Sequence, residues 1–251
     1  MTSVKLVVKI IKHSMSKSLP HVEQFNHTKH LPQTVSDKTS DLFYILTALY
    51  IASSEEKVIT KLTLEKALFK TSQMLAENEG ASFLNTYFYI NTLGPHNNIF
   101  YKYLEELEKA GLIETQGRNL FLTPKGLAFI SGSIDKIASH KDLLEVILLL
   151  KDRVETYSDN PNRAIEETHS QKVVDSTDRG KVKTVKELIT EIKPEQQFER
   201  PSQFKYIDPS PTKKTKKMEI PARVINDLEN ALANVEREDF EKEENINLLF
   251  A

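Results

Sequence analysis

Seven histidines and thirty-six carboxylates, with no cysteine, bound the chemistry open to this chain of 251 residues. Without Cys there is no thiolate nucleophile, disulfide framework, Cys-ligated zinc or iron–sulfur cluster. Four of the histidines crowd the start of the chain: His13, His21, His27 and His30. A metal site there would need further imidazole or carboxylate ligands in fixed geometry, and the segment offers Glu23 alone before Asp37, so no metal ligand is assigned. His96 falls at a helix start, where an imidazole can donate a proton, but no Ser, Asp or Cys partner follows from spacing, and a surface or capping role is the better reading. The chain carries no Gly-x-Gly-x-x-Gly, Walker-type loop, Gly-x-Ser-x-Gly or His-Glu-x-x-His. It reads as a non-enzyme with no cofactor.

Binding chemistry is better represented. His96, Asn97, Asn98, Tyr101 and Lys102 lie on one prospective helix, followed by Arg118 and Asn119 in a turn. Asn can read adenine edges, and Arg at a hairpin tip can touch phosphate or enter a minor groove. Lys213, Lys214, Lys216 and Lys217 form a separate basic cluster that would either add phosphate affinity or keep the linker solvated. Further on, Ile225, Leu228, Leu232 and Val235 recur at helical spacing, and Leu248, Leu249 and Phe250 follow an acidic run. An isolated helix of that length needs a partner, in the same molecule or another, so these residues are read as a protein-interaction segment, with a fold-back onto the core as the alternative.

The elements that would position these groups come from periodicity. Leu42, Ile45, Leu46 and Leu49 define a first helix capped by Ser40 or Asp41. Leu64, Ala67, Leu68, Thr71 and Leu75 define a second, capped by Thr63 without a capping box and ending near Gly80. Phe83–Ile90 is aromatic and extended. Pro95 opens a third helix lined by Phe100, Tyr103, Leu104 and Leu107 and stopped at Gly111. Residues 111–115 and 120–123 make a β-hairpin about the turn 116–119. Thr123 and Pro124 start another helix, and a last core helix spans Ile134 to Val154. Its run Val146–Leu150 is apolar enough to be buried or to form a homodimer interface through residues 134–154. Lys151 ends that run far short of the roughly 20 residues a membrane helix needs.

This order predicts an α+β, mostly helical fold: a winged helix–turn–helix in which the helix before the hairpin recognises DNA and the hairpin is the wing. Four segments are expected. Residues 1–39 form an N-terminal extension with a strand, then flexible chain. Residues 40–155 form the winged-helix-like domain with a flanking helix. Residues 156–218 are a disordered basic linker, rich in Ser, Thr, Lys, Glu and Pro. Residues 219–251 carry an amphipathic helix and an acidic tail.

The strings Thr63-Leu64-Glu65-Lys66-Ala67-Leu68-Phe69, Phe88-Tyr89-Ile90-Asn91-Thr92-Leu93-Gly94-Pro95 and Leu122-Thr123-Pro124-Lys125-Gly126 resemble the Panacea-type domain over about residues 40–132. There a Lys-rich helix precedes an aromatic segment ending in Gly-Pro, a helix and a short hairpin. Leu93-Gly94-Pro95 stands where the family has Tyr-Gly-Pro, and Thr63 and Ala67 stand where it has Lys and Leu. The resemblance implies a winged-helix-like fold and, for some members, an antitoxin that binds and neutralises a toxin protein.

Charge leaves two functions open. The formal total of −2 excludes a uniformly basic nucleic-acid coat. The leading expectation is a cytoplasmic DNA-binding regulator, a homodimer with a C-terminal protein-interaction segment. The alternative is an antitoxin or adaptor that holds a protein and no DNA.

Overall fold

Thr34 and Asp37 open the first helix. Thr34 Oγ1 accepts from the Asp37 amide and Asp37 Oδ2 from the Thr34 amide, both at 3.1 Å. Such a capping box is worth about 1 kcal/mol and starts α1 (Val35–Ser54) nearly two turns before the expected Ser40 or Asp41. The computed structural model describes residues 19–24, 34–137, 139–192, 205–208 and 216–233.

The same device resets the second helix. After the short strand β2 (Ile59–Thr60), Thr60 caps α2 (Lys61–Glu79), with Thr63 at the third helical position as its reciprocal partner. Thr63 is therefore inside the helix, and the expected absence of a capping box is corrected. Gly80, left-handed at φ 57°, ends α2 as the spacing requires. Strand β3 (Ala81–Ser82) follows, then the hairpin β4 (Phe88–Asn91) and β5 (Gly94–His96). Pro95 lies in β5, not at a helix start; Asn97 caps α3 (Asn98–Lys109).

Strands β6 (Ile113–Gln116) and β7 (Asn119–Leu122) form the expected hairpin, and β2 pairs with β7 to give a three-stranded sheet ordered β2-β7-β6. Thr123 then caps α4 (Pro124–Ile137), its Oγ1 accepting from the Gly126 amide at 3.0 Å. Gly126 is where α4 meets the hairpin: a Cβ there would lie 1.9 Å from the Leu112 carbonyl oxygen, so only glycine allows this approach.

The expected helix Ile134–Val154 is two helices. α4 ends at Ile137 and α5 (Lys141–Asp159) begins after His140. Leu143, Val146, Leu150 and Val154 of α5 are buried against α1 and α2, while Leu148 of the same apolar run is exposed. Helix α1 is buried almost throughout, as a helix apolar all round must be.

Residues 157–192 correct the expected disordered linker. They carry the end of α5, then α6 (Pro161–His169), β8 (Lys172–Asp175), β9 (Lys181–Thr184) and α7 (Val185–Thr190). These elements bury single apolar residues, among them Ala164, Val173, Val185 and Leu188, and so leave a polar sequence. With β1 (His21–Gln24) and β10 (Lys205–Asp208) they build a six-stranded sheet ordered β5-β4-β10-β1-β8-β9. Val22, Phe88, Ile90, Val173 and Ile207 pack with Phe69 of α2 and with Val185 and Leu188 of α7 in a second core. Charge closes the same region: buried Asp175 takes Lys205 at 2.8 Å and Lys183 at 3.2 Å.

Strand β11 (Lys216–Lys217) pairs parallel with β3, and helix α8 (222–233) returns to the main core. Val224, Ile225 and Leu228 are buried there, Leu232 packs beside them, and Lys136 pairs with Asp227 at 2.7 Å. The chain is thus α+β and mostly helical. No helix among the described residues is long and apolar enough to cross a membrane.

Candidate functional site

Because α2 lies between α5 on one side and α6 with β5 on the other, two of its charged residues point inward. Glu65 and Lys66 are fully buried. Burying a charge is costly unless it is paired and hydrogen-bonded, so their partners define the site.

Glu65 Oε1 lies 2.9 Å from His96 Nδ1 and accepts from the Asn97 amide at 2.7 Å. Its other oxygen is buried with no partner among the described residues. Lys66 Nζ donates to the Pro95 carbonyl. Burial lowers the Lys66 ammonium to about 8, against the opposing pull of Glu65. Two adjacent residues of one helix thereby grip Pro95, His96 and Asn97, the three residues that lead from β5 into α3.

Asn97 extends the grip. Its Oδ1 accepts from the Ile99 and Phe100 amides at 2.9 and 3.3 Å, capping α3, while its Nδ2 donates to Thr86 Oγ1 at 2.7 Å. Thr86 and Asn85 reach α1: the Asn85 amide and side-chain Nδ2 both donate to Asp41 Oδ1, at 2.8 and 3.0 Å. One buried polar chain therefore runs from α1 through residues 85–86 to the cap of α3, where Glu65 of α2 joins it.

Around its rim the rings stack. His96 lies 5.3 Å from Tyr89 and 5.2 Å from Tyr101, centroid to centroid, and Tyr89 donates its hydroxyl to Asn98 Oδ1. Burial, then the Glu65 charge, push the Tyr101 hydroxyl up to about 12. On the far side, Gly94 at φ 93° brings the chain against His169: a Cβ on Gly94 would meet the imidazole at 3.1 Å and Lys66 Nζ at 3.7 Å.

These contacts redistribute the residues expected to touch DNA. His96 has 18% of its side chain exposed and is turned to Glu65; Asn97 is buried as a cap; Asn98 holds Tyr89; Tyr101 is half-buried on His96. Only Lys102 and Arg118 of the set are exposed without such a contact, and Asn119 is half-buried in β7. Lys216 and Lys217 pair with Asp142 and Asp37, while Lys213 and Lys214 lie outside the described residues. Of the residues expected to hold a protein partner, Ile225, Leu228 and Leu232 face the chain's own core, and Val235, Leu248, Leu249 and Phe250 lie outside the described residues. Among the N-terminal histidines, His21 sits in β1 and the other three are likewise outside. No group of three or more metal-ligating side chains occurs among the described residues.

Sequence spacing missed Glu65, Lys66, Thr86 and His169, because Glu65 meets Asn97 across 32 positions. One signal was present: two opposite charges inside the otherwise apolar run Leu64, Ala67, Leu68, Phe69.

What remains outward is α3 and the hairpin beside it. Their exposed charges are Lys102, Lys109 and Arg118 against Glu105, Glu108 and Glu114, three of each sign. Comparison with protein-family models, curated proteins and solved structures finds no match to this chain.

Proposed function

We propose that the chain is a non-enzymatic, winged-helix-like module that binds a protein, as an antitoxin or adaptor does, and that α3 with the β6–β7 hairpin is the contact face. The winged-helix assignment is supported by the succession α1, β2, α2, α3, β6, β7, into which β3, β4 and β5 are inserted between α2 and α3, and by the sheet order β2-β7-β6, in which the first strand pairs with the last.

The observation that carries the function is the charge balance of the face. DNA affinity rests largely on neutralising phosphates, and three carboxylates on α3 and the hairpin offset their three cations. The asparagine and imidazole groups suited to base edges are spent on the cap of α3 and on Glu65. A mixed-charge helix suits a protein surface, where complementary charges fix register and exclude wrong partners. Duplex DNA is the second reading, favoured by Arg118 exposed at the hairpin turn.

Affinity capture on the full chain, with bound species identified by mass spectrometry and by nucleic-acid extraction, separates the two. The expected result is one protein partner, kept by a variant altered at the remote Lys172 and lost in the double variant Glu105→Lys, Glu108→Lys. Duplex retained at low salt by the wild type, lost in Arg118→Ala and strengthened in the double variant, would replace this reading with the DNA one.

A further inference from the structure

His169 closes α6 and sets its ring over a glycine. Gly94 carries no Cβ, and the point a Cβ would occupy lies 3.1 Å from His169 Nε2 and 3.7 Å from Lys66 Nζ. Nitrogens from α6 and α2 therefore meet at one place. His169 Nε2 is buried there with no partner among the described residues. Lys66 is fully buried and uses one of its three N–H groups, on the Pro95 carbonyl.

A proton on His169 Nε2 would set a buried N–H, with no acceptor, against an ammonium. Without that proton the ring turns a lone pair toward the ammonium instead. The two nitrogens suit one charge and oppose two.

The groups that face His169 do not relieve this. From α2, Lys70 is a second cation, donating to Gln171 Oε1 at 2.6 Å, and Glu65 is turned to His96 and Asn97. From α7 comes Lys186, exposed. From β5 and the turn before it come Leu93, Gly94 and Pro95, all uncharged. On α6 itself, Glu166 is exposed, and Glu167 is held by Arg153 at 2.9 Å and Arg163 at 2.7 Å. No carboxylate pairs with His169 among the described residues.

We propose that Lys66 and His169 form a proton-exclusive pair: the fold holds a charged Lys66 only beside a neutral His169, and a proton added to His169 drives the end of α6 off the β4–β5 turn. Burial holds the His169 imidazole below its ordinary 6.5, and the Lys66 and Lys186 charges act in the same direction. A hydrogen bond to the Leu93 backbone and the C-terminal end of α6 both favour the charged ring, and they are outweighed. The sign follows from linkage. A folded-state value below the unfolded one gives stability that is complete above pH 6.5 and is lost as pH falls through the folded value. The pair is therefore an acid-sensitive joint between α6 and the strand that leads into α3. It stands apart from what α3 binds, since protons and amides report on it with no partner present.

The test uses the full chain labelled with ¹⁵N in its histidine rings, titrated from about pH 4 to about pH 9, beside K66M, with His169 assigned by its loss in H169Q. His169 is expected to inflect below pH 6.5 in the wild type, and about one pH unit higher in K66M. The Ser170 amide donates to the Glu166 carbonyl at 2.9 Å in the last turn of α6. Its exchange, corrected for intrinsic rate, should accelerate roughly fivefold or more below the wild-type inflection. A His169 that inflects at pH 6.5 or above, that inflects equally in both proteins, or that leaves Ser170 exchange unchanged would overturn the pair. Should K66M not fold, K66Q gives the same comparison; should neither fold, the wild-type inflection and exchange decide alone.

Discussion

Replacing Lys66 by Met removes an ammonium that the fold holds at a cost. With its value lowered from 10.5 to about 8, the cation at pH 7 is disfavoured by about 3 kcal/mol, at 1.36 kcal/mol per unit. Because the folded value is the lower one, the stability tied to neutral Lys66 is complete above pH 10.5 and is lost as pH falls through 8. Between pH 7 and pH 9.5 the wild type should therefore gain about 2 kcal/mol that Lys66→Met does not gain. The substitution also strips the Pro95 carbonyl of its donor, a penalty of about 1–3 kcal/mol. At pH 7 the two effects nearly cancel, so Lys66→Met should lie within about 2 kcal/mol of the wild type. Guanidinium unfolding of both proteins at pH 7 and pH 9.5 measures the double difference. Equal pH dependence in the two proteins, with Lys66→Met destabilised by more than 3 kcal/mol at both, would refute the reasoning: the lysine would then be an ordinary paired cation. A charge retained at a cost, when a methionine would fill the space, is one kept for placing Pro95 and hence α3.

Gly126→Ala should lower stability by about 3 kcal/mol in thermal melts, because its Cβ would press the Leu112 carbonyl and force the hairpin off α4. Asp175→Asn should cost about 3 kcal/mol by leaving Lys183 and Lys205 short of a partner in the six-stranded sheet. Hydrogen bonds from Lys205, Thr177 and Lys183 hold the Asp175 carboxyl well below the usual range despite its burial, so the wild type should lose its advantage over Asp175→Asn only under strongly acid conditions. Burial raises the Asp41 carboxyl to about 7, so Asp41→Asn acts in the opposite sense, removing a fall in stability as pH rises toward neutral.

The parts of the fold that local sequence specifies were legible. Phe100, Tyr103, Leu104 and Leu107 are the buried face of α3, the hairpin turns at Gly117 and Arg118, and Thr123 with Pro124 opens α4. Helix starts were less so, since any of several threonines and serines near Thr34 or Thr60 can cap, and the reciprocal contact that chooses among them appears only in three dimensions. Of the six-stranded sheet, β4 was legible in the extended run Phe83–Ile90, but the sheet's assembly was not. Its strands are four residues or fewer, and β1, β4 and β10 become neighbours from opposite ends of the chain. Lys181 and Lys183 on its edge read as linker because both are charged, although only Lys181 points outward while Lys183 turns in to the buried Asp175. At the site, His96 and Asn97 were picked out for the right reason, their polar chemistry at a helix start, and given the wrong direction: Glu65 draws them in. A buried carboxylate cannot be recognised from composition, because the same Glu on a surface helix reads identically.

The claim that α3 and its hairpin hold a protein through a charge-balanced face is tested most directly by salt. Titrating the identified partner from 50 to 300 mM salt should give a nearly flat plot of log affinity against log salt, because the three cations and three carboxylates of the face compensate each other. A slope of about −2.7 or steeper, the counterion release of phosphates held by Lys102, Lys109 and Arg118, would contradict it.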